Sequence, residues 1–216
     1  QRPERRGKRD ATAYEKVWEN GLMTSFTVIG HTACTDASFS LQDLPGTGGR
    51  MDLLCRAVAS SLFLSHGIRK DTICDIILLG PPNPGRIIRF DGSVLRSLSP
   101  DERNIASYIK KALSVPVGKV FREAGPGLFT RKGTLGDHLD EKRYAVLDES
   151  GTDIRKVDDE DMPDAFLLSD NRNFSDDELT CTRDLPRYSL GPEIVHADHA
   201  ITLILNEIDR RRSGWN

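Results

Sequence analysis

Ile73-Cys-Asp-Ile-Ile-Leu-Leu79 is a nearly unbroken apolar run, closed by Gly80-Pro81-Pro82. A strand with one wet face alternates apolar and polar residues, so this run reads as a strand covered on both faces, which favours a parallel sheet. Upstream, Ser25-Phe-Thr-Val-Ile-Gly30 is a second short strand, rich in β-branched and aromatic residues and ended by glycine. The loop from His31 to Gly49 carries Pro45, Gly46, Gly48 and Gly49 and leads into a helical pattern from Arg50 to about His66. Leu54, Ala57, Val58, Ser61 and Leu62 form one face of that helix. Downstream, Arg86 to Phe90, the turn Asp91-Gly92-Ser93 and Val94 to Leu98 read as a small hairpin. Ser99-Pro-Asp-Glu102 predicts a helix start with Ser99 as N-cap, Pro100 at the first position and Glu102 three after the cap, running to about Leu113.

Gly118 to Gly136 is rich in glycine and carries Lys119, Arg122, Arg131 and Lys132 with only Glu123 opposed, which predicts a mobile basic loop or lobe. Tyr144 to Asp148 and Ala165 to Ser169 are short apolar strands, with an acidic connection from Asp148 to Asp161 between them. Arg187 to Leu190 is a weaker strand. The last helix, about His196 to Arg212, places Ile201, Ile204, Leu205 and Ile208 on one face and ends in three arginines, which suit the negative helix C-terminus. Strands alternating with helices predict an α/β layered fold.

The 216 residues suffice for one domain or a tight pair of lobes, and 38% hydrophobic content excludes a disordered or collagenous chain. Lys and Arg number 30 against 33 Asp and Glu, a net charge of -3 that neither announces nor excludes a nucleic-acid binder. Cys34, Cys55, Cys74 and Cys181 form no C-x-x-C pair, so reduced thiols in a reducing, cytoplasmic setting are expected. No run approaches the ~18–20 apolar residues of a membrane span, and no signal-peptide core is present, so a soluble protein is expected. Residues 1–22 carry Arg2, Arg5, Arg6, Lys8 and Arg9 against Glu4 and Asp10 and read as a basic, poorly ordered extension.

Several short motifs carry chemistry. Gly46-Thr-Gly-Gly-Arg50 before a helix would let backbone N–H groups approach a phosphate, but its spacing matches neither nucleotide-binding glycine signature. His196-Ala-Asp-His199 sets two histidines on one helix face with Asp198 between them, which opens a metal-dependent hydrolase as one reading and helix-start capping as another. Leu190-Gly-Pro-Glu193 and Phe166-Leu-Leu-Ser-Asp170 each end a strand at polar or glycine residues. In an open α/β sheet, ligands sit beyond the carboxyl ends of strands, where such loops meet.

Taken as a set, Phe26-Thr-Val-Ile-Gly-His31, Phe39 to Gly46, Gly49-Arg-Met-Asp-Leu-Leu-Cys-Arg56, Phe63 to His66 with Ile68-Arg69, Pro100-Asp-Glu-Arg103, Phe166 to Asp170 and Leu190 to Ile194 through His199 resemble the TrmY family, the tRNA pseudouridine-54 N1-methyltransferases. The resemblance runs in order from about Met23 to the C-terminal helix. It implies one SPOUT-type methyltransferase domain over residues 23–216: a parallel sheet flanked by helices with a C-terminal trefoil knot at about 143–212. It further implies a homodimer that uses S-adenosylmethionine as cofactor and tRNA as substrate; the residues themselves lead to no expected metal and no membrane partner. Carried over by position, the methyl-donor pocket comprises Leu147, then Leu168, Ser169 and Asp170, then Leu190, Gly191, Pro192, Glu193 and Ile194, with Ala200 and Ile201. Ala200 departs from the cysteine of many relatives, and residues 1–22 lie outside the resemblance.

Methyl transfer from a sulfonium to a ring nitrogen requires donor and acceptor held near attack distance and a group to take the N1 proton. Asp101 is the candidate acceptor, with Arg103 or Arg50 stabilising charge on the ring or holding phosphate. Arg50, Arg56, Arg69, Lys119, Arg122, Arg131 and Lys132 are the candidate RNA contacts, since the target base must leave the stack of its loop. A catalytically inactive RNA-binding homologue is the remaining alternative.

Overall fold

The seven residues from Thr24 to Gly30 are all buried and occupy the middle of the main sheet. The computed structural model describes residues 23–140 and 142–215, and the basic extension expected over 1–22 lies outside them. In chain order the elements are β1 (Thr24–Gly30), α1 (Met51–Leu62), the short strands β2 (Phe63–Leu64) and β3 (Gly67–Ile68), β4 (Thr72–Leu78), β5 (Arg86–Asp91) and α2 (Glu102–Leu113). There follow β6 (Arg122–Gly125), β7 (Leu128–Lys132), α3 (Leu135–Leu139), β8 (Tyr144–Asp153), β9 (Ala165–Ser169), α4 (Asp176–Thr182), β10 (Arg187–Ser189) and α5 (Ala197–Ser213).

The sheet order is β10-β8-β9-β1-β4-β5-β7-β6. The strands from β10 to β4 are mutually parallel, and β5, β7 and β6 complete the sheet antiparallel. The apolar run from Ile73 lies in β4, which is buried along its whole length as a strand covered on both faces must be. Side chains alternate across the sheet. Phe26 and Val28 of β1 join Leu54, Val58, Ile105, Ile109, Ile201 and Ile204 of α1, α2 and α5 in the larger core, while Ile29 faces Ile77, Ile87, Val146 and Leu167 on the opposite side.

On that opposite side a charged network is buried. Arg89 donates from Nε and Nη2 to Asp75, both at 2.9 Å. His138 lies with Nε2 3.1 Å from Asp75 Oδ2, the oxygen that also accepts from Arg89 Nη2, and Arg131 Nη2 is 3.1 Å from its Nδ1. Because the guanidinium only donates, Nδ1 accepts and Nε2 carries the proton toward Asp75. Burial alone would push the Asp75 carboxyl up; Arg89 and His138 more than offset that and hold it far below the usual carboxylate range. The guanidinium groups of Arg89 and Arg131 also cover the ring of Phe121, at 4.3 and 4.8 Å from its centre.

Five expectations are corrected here. Gly118 to Gly136 is not a mobile lobe: β6 and β7 form a hairpin on the sheet edge, and Thr134 caps α3 in a reciprocal box with Asp137. Leu128 and Thr130 point inward, and Arg131, expected among the RNA contacts, is buried at 7% exposure, where His138, itself bound to Asp75, holds it against the sheet face. Arg86 to Phe90 pairs with β4 and β7 rather than with Val94 to Leu98, since the Asp91 side chain accepts from Ser93 N and turns the chain out of the sheet. The second helix begins after Asp101, not Ser99: Asp101 accepts from Asn104 N at 3.0 Å, while Ser99 N donates to Asn104 Oδ1. Finally, β8 continues to Asp153, into what reads as an acidic connection, because β10 pairs along it.

Candidate active site

Since β1, β8, β9 and β10 are parallel, their carboxyl ends open on one edge, and there the described residues leave a cleft of about 630 Å³. Leu147, Asp148 and Glu149 of β8 form one wall, and Leu168 to Phe174 after β9 form a second. Ile194 to Asp198 with Ala200 at the start of α5 form the third. A smaller recess of about 100 Å³ continues between Leu147 and the Tyr188-to-Gly191 turn, sharing Ile194 and Ala200 with the main cleft. Nine expected pocket residues thus stand in these walls: Leu147, Leu168, Ser169, Asp170, Leu190, Gly191, Glu193, Ile194 and Ala200. Pro192 is an exposed residue between two of them, and Ile201 is fully buried in the core beneath.

The cleft offers apolar surface from Leu147, Leu168, Ile194 and Ala200 for a flat ring, with Asp170, Asn171 and Asn173 for orientation. Gly191 has φ +153°, and a Cβ built there meets no atom within 4 Å. The backbone thus presents an open face toward the recess. This cradle fits a nucleoside-bearing sulfonium that packs against main chain.

The wall after β9 is tied to the end of β1 by an imidazole between two carboxylates. His31 Nδ1 is 2.8 Å from Asp170 Oδ1, its backbone N donates to Asp170 Oδ2 at 2.8 Å, and Nε2 is 3.0 Å from Glu178 Oε2. Both ring nitrogens donate only when the ring is doubly protonated. The Asp170 hydrogen bond, helped by Glu178, raises the His31 pKa against the opposing effect of burial. Burial works against Asp170 ionisation, but the His31 hydrogen bond and the Arg172 amide bring its pKa down. A raised folded-state pKa stabilises the protein below the unfolded value of 6.5 and loses that contribution as pH rises through the folded value. The stability gap between wild type and His31→Gln is therefore expected to be widest below pH 6.5 and to shrink above it, as thermal melts at a series of pH values will show. A gap that does not change with pH contradicts this account of the clamp.

At the mouth of the cleft, basic and acidic side chains from three helices interlock. Arg50, held at φ 66° before α1, donates from Nε and Nη2 to Asp52, both at 3.1 Å, and that hydrogen bond raises its pKa. Arg56 reaches Asp52 at 3.3 Å, Glu102 of α2 at 3.6 Å and Asp198 of α5 at 3.9 Å. Asp101, the expected proton acceptor, is exposed, caps α2 and stands outside the cleft walls; Arg103 beside it is exposed. Arg69 is engaged with Asp209 of α5. Lys119, Arg122 and Lys132 lie exposed along the β6–β7 edge, where Arg122 also donates to Pro116 O at 2.9 Å. His196 and His199 meet edge to face at 5.8 Å. Among the described residues no group of three or more His, Cys, Asp or Glu side chains is arranged to hold a metal ion, and no helix is long and apolar enough to cross a membrane.

The site residues that the sequence did not single out are His31 and Glu178 as a clamp and Asp198 as part of the cleft. The Ser175-to-Glu178 spacing was a legible signal for α4 and its capping box. The pairing of Glu178 with His31 was not legible, because 147 positions separate them.

A family model described as "Putative SAM-dependent RNA methyltransferase" matches residues 23–213. A tRNA (pseudouridine(54)-N(1))-methyltransferase of Methanospirillum hungatei is 83% identical over 193 residues, covering 89% of this chain and all of that protein. One of Methanocorpusculum labreanum is 48% identical, covering 88% of this chain and 98% of that protein. Archaeoglobus fulgidus Nep1 bound to S-adenosylhomocysteine has the same fold at a TM-score of 0.61 and 14% identity, covering 88% of this chain and 99% of that one. The sheet, the cleft at its carboxyl edge and these likenesses agree with the resemblance seen in the motifs: the chain belongs to the S-adenosylmethionine-dependent RNA methyltransferase family that includes the archaeal tRNA (pseudouridine(54)-N(1))-methyltransferases.

Proposed function

We propose that the protein methylates N1 of pseudouridine 54 in tRNA, with residues 23–216 acting as one catalytic unit. The observation that carries this reading is the cleft itself: residues from three separate segments, Leu147, Leu168 to Asp170 and Leu190 to Ala200, meet around one space with the open backbone of Gly191 at its edge. S-adenosylmethionine supplies an electrophilic methyl group on a sulfonium when bound. Leu147, Leu190, Gly191, Ile194 and Ala200 would hold it, and the clamped wall at Asp170 would keep its polar end in place. Holding the acceptor ring near attack distance supplies much of the acceleration.

Arg50 and Arg56 at the mouth, with Arg103 outside it and Lys119, Arg122 and Lys132 along the sheet edge, give the RNA backbone cationic partners. Arg131 is not among them. Exposed Ile194, at 77%, with Val195 and Leu203 forms an apolar strip on and before α5; we assign it to a homodimer contact beside the cleft. A trefoil knot over about 143–212 would bring the β9 and β10 loops together at this edge, and unpaired cysteines support a cytoplasmic enzyme.

Incubation with methyl-labelled donor and tRNA carrying either pseudouridine or uridine at position 54 tests the reading. Label is expected in the pseudouridine tRNA alone. Equal labelling of both, or of neither, overturns the assignment.

A further inference from the structure

We propose that Asp198 is the group that takes the N1 proton of the acceptor ring, a role that rests on the methyltransferase reading above. The cleft and its recess are bordered by five carboxylates: Asp148, Glu149, Asp170, Glu193 and Asp198. The oxygens of Asp148 are engaged by Ser150 and by Arg187 Nη1 at 2.9 Å. Those of Asp170 are engaged by His31 and the Arg172 amide. Glu149 and Glu193 are exposed, where water competes for every lone pair. Asp198 differs from all four. Its side chain is only 16% exposed, yet its nearest basic neighbours, Arg56 Nε at 3.9 Å and His199 Nε2 at 3.8 Å, are beyond hydrogen-bond distance. Among the described residues it is the sheltered cleft carboxylate whose oxygens accept no hydrogen bond, so its acceptor capacity is left for a ligand N–H.

Its place in the cleft suits that use. The donor recess lies at the Leu147–Gly191 end, while Asp198 lines the main cleft but not the recess, with Arg56 beside it at 3.9 Å. A base unstacked into the main cleft would have Asp198 in its wall. The N1–H bond breaks, its proton passes to a carboxylate oxygen of Asp198, and the electron pair left on N1 forms the new N–C bond. The C–S bond breaks in the same displacement, its pair remains on sulfur as a neutral thioether, and Asp198 later gives the proton to solvent. Arg56 faces the negative charge that the ring carries while the proton leaves.

Asp198→Asn keeps the shape and removes the basic oxygen. Its turnover on pseudouridine tRNA is expected to fall about 100-fold or more, with S-adenosylhomocysteine affinity and KM for tRNA within about threefold of wild type. Raising the pH, which strips the N1 proton without help, should restore part of the variant's rate, an effect that a merely structural role would not produce. Asp101→Asn, at the helix cap, is expected to retain turnover within about threefold of wild type. Full turnover in Asp198→Asn overturns the proposal while leaving the assigned activity intact, and so does a loss that tracks lost donor affinity or is insensitive to pH. A wild-type protein that labels no pseudouridine tRNA overturns both.

Discussion

Gly191→Val is expected to abolish measurable binding of S-adenosylmethionine while the protein stays folded. The glycine has φ +153°, a region that β-branched residues avoid at a cost on the order of 1–3 kcal/mol. That cost falls on an exposed turn and does not reach the core. A Cβ at 191 meets no protein atom within 4 Å, so a side chain can be placed there in the free protein. Its methyl groups would instead stand in the 100 Å³ recess between Leu147 and Leu190. Affinity is expected to fall about 100-fold or more, about 2.8 kcal/mol. Calorimetric titration measures it, and a thermal melt of the same sample separates lost binding from lost fold. Unchanged affinity would place the donor elsewhere.

Asp75→Asn should be the most destabilising single change of shape-conserving type. Asparagine occupies nearly the same volume but brings no charge to face Arg89, and the buried Arg131–His138 arm of the network loses its anionic anchor. Removing one partner of a buried ion pair costs about 3–5 kcal/mol because the other charge is left uncompensated. That is a large part of the ~5–15 kcal/mol by which domains are stable. Chemical denaturation of both proteins gives the difference. The acid limb adds a second readout: the Asp75 pKa is depressed on folding, so its contribution is present above the unfolded value of 3.8 and is lost as pH falls through the folded value. The variant should therefore show a flatter acid loss than wild type. A stability change under about 1 kcal/mol would mean the network is not a unit.

These two positions mark what local sequence could and could not disclose. Ile73 to Leu79, Ser25 to Gly30 and the last helix were legible because their apolar spacing is a property of adjacent residues. Arg131 reads as a solvated cation, because nothing in the strand announces that His138, on the following helix, turns back to it while bound to Asp75. The β6–β7 hairpin was hidden by the same residues: inward Leu128 and Thr130 are interleaved with Arg131 and Lys132, so the basic content masked the alternation. Asp101 stands as a carboxylate near arginines in the sequence, and in the structure it holds Asn104 N at the start of α2 outside the cleft walls.

The cleft walls are legible through the motifs of the family rather than through periodicity. Strand-end loops are short and polar whatever they bind, and only the order of the parallel strands brings Leu147, Asp170 and Gly191 together. The His31 clamp joins residues 139 and 147 positions apart, beyond the reach of any local pattern. Asp198 was visible in His196-Ala-Asp-His199 but in the wrong company, since the first turn of α5 directs it into the cleft beside Arg56.

Central to all of this is where the sulfonium cofactor sits. Crystals of the protein grown with S-adenosylhomocysteine should show it seated between Leu147, Leu190 and Ala200, with the Gly191 backbone against it and Ile201 behind. Density for it at another surface, or these three segments packed together with the space between them filled, would contradict the account.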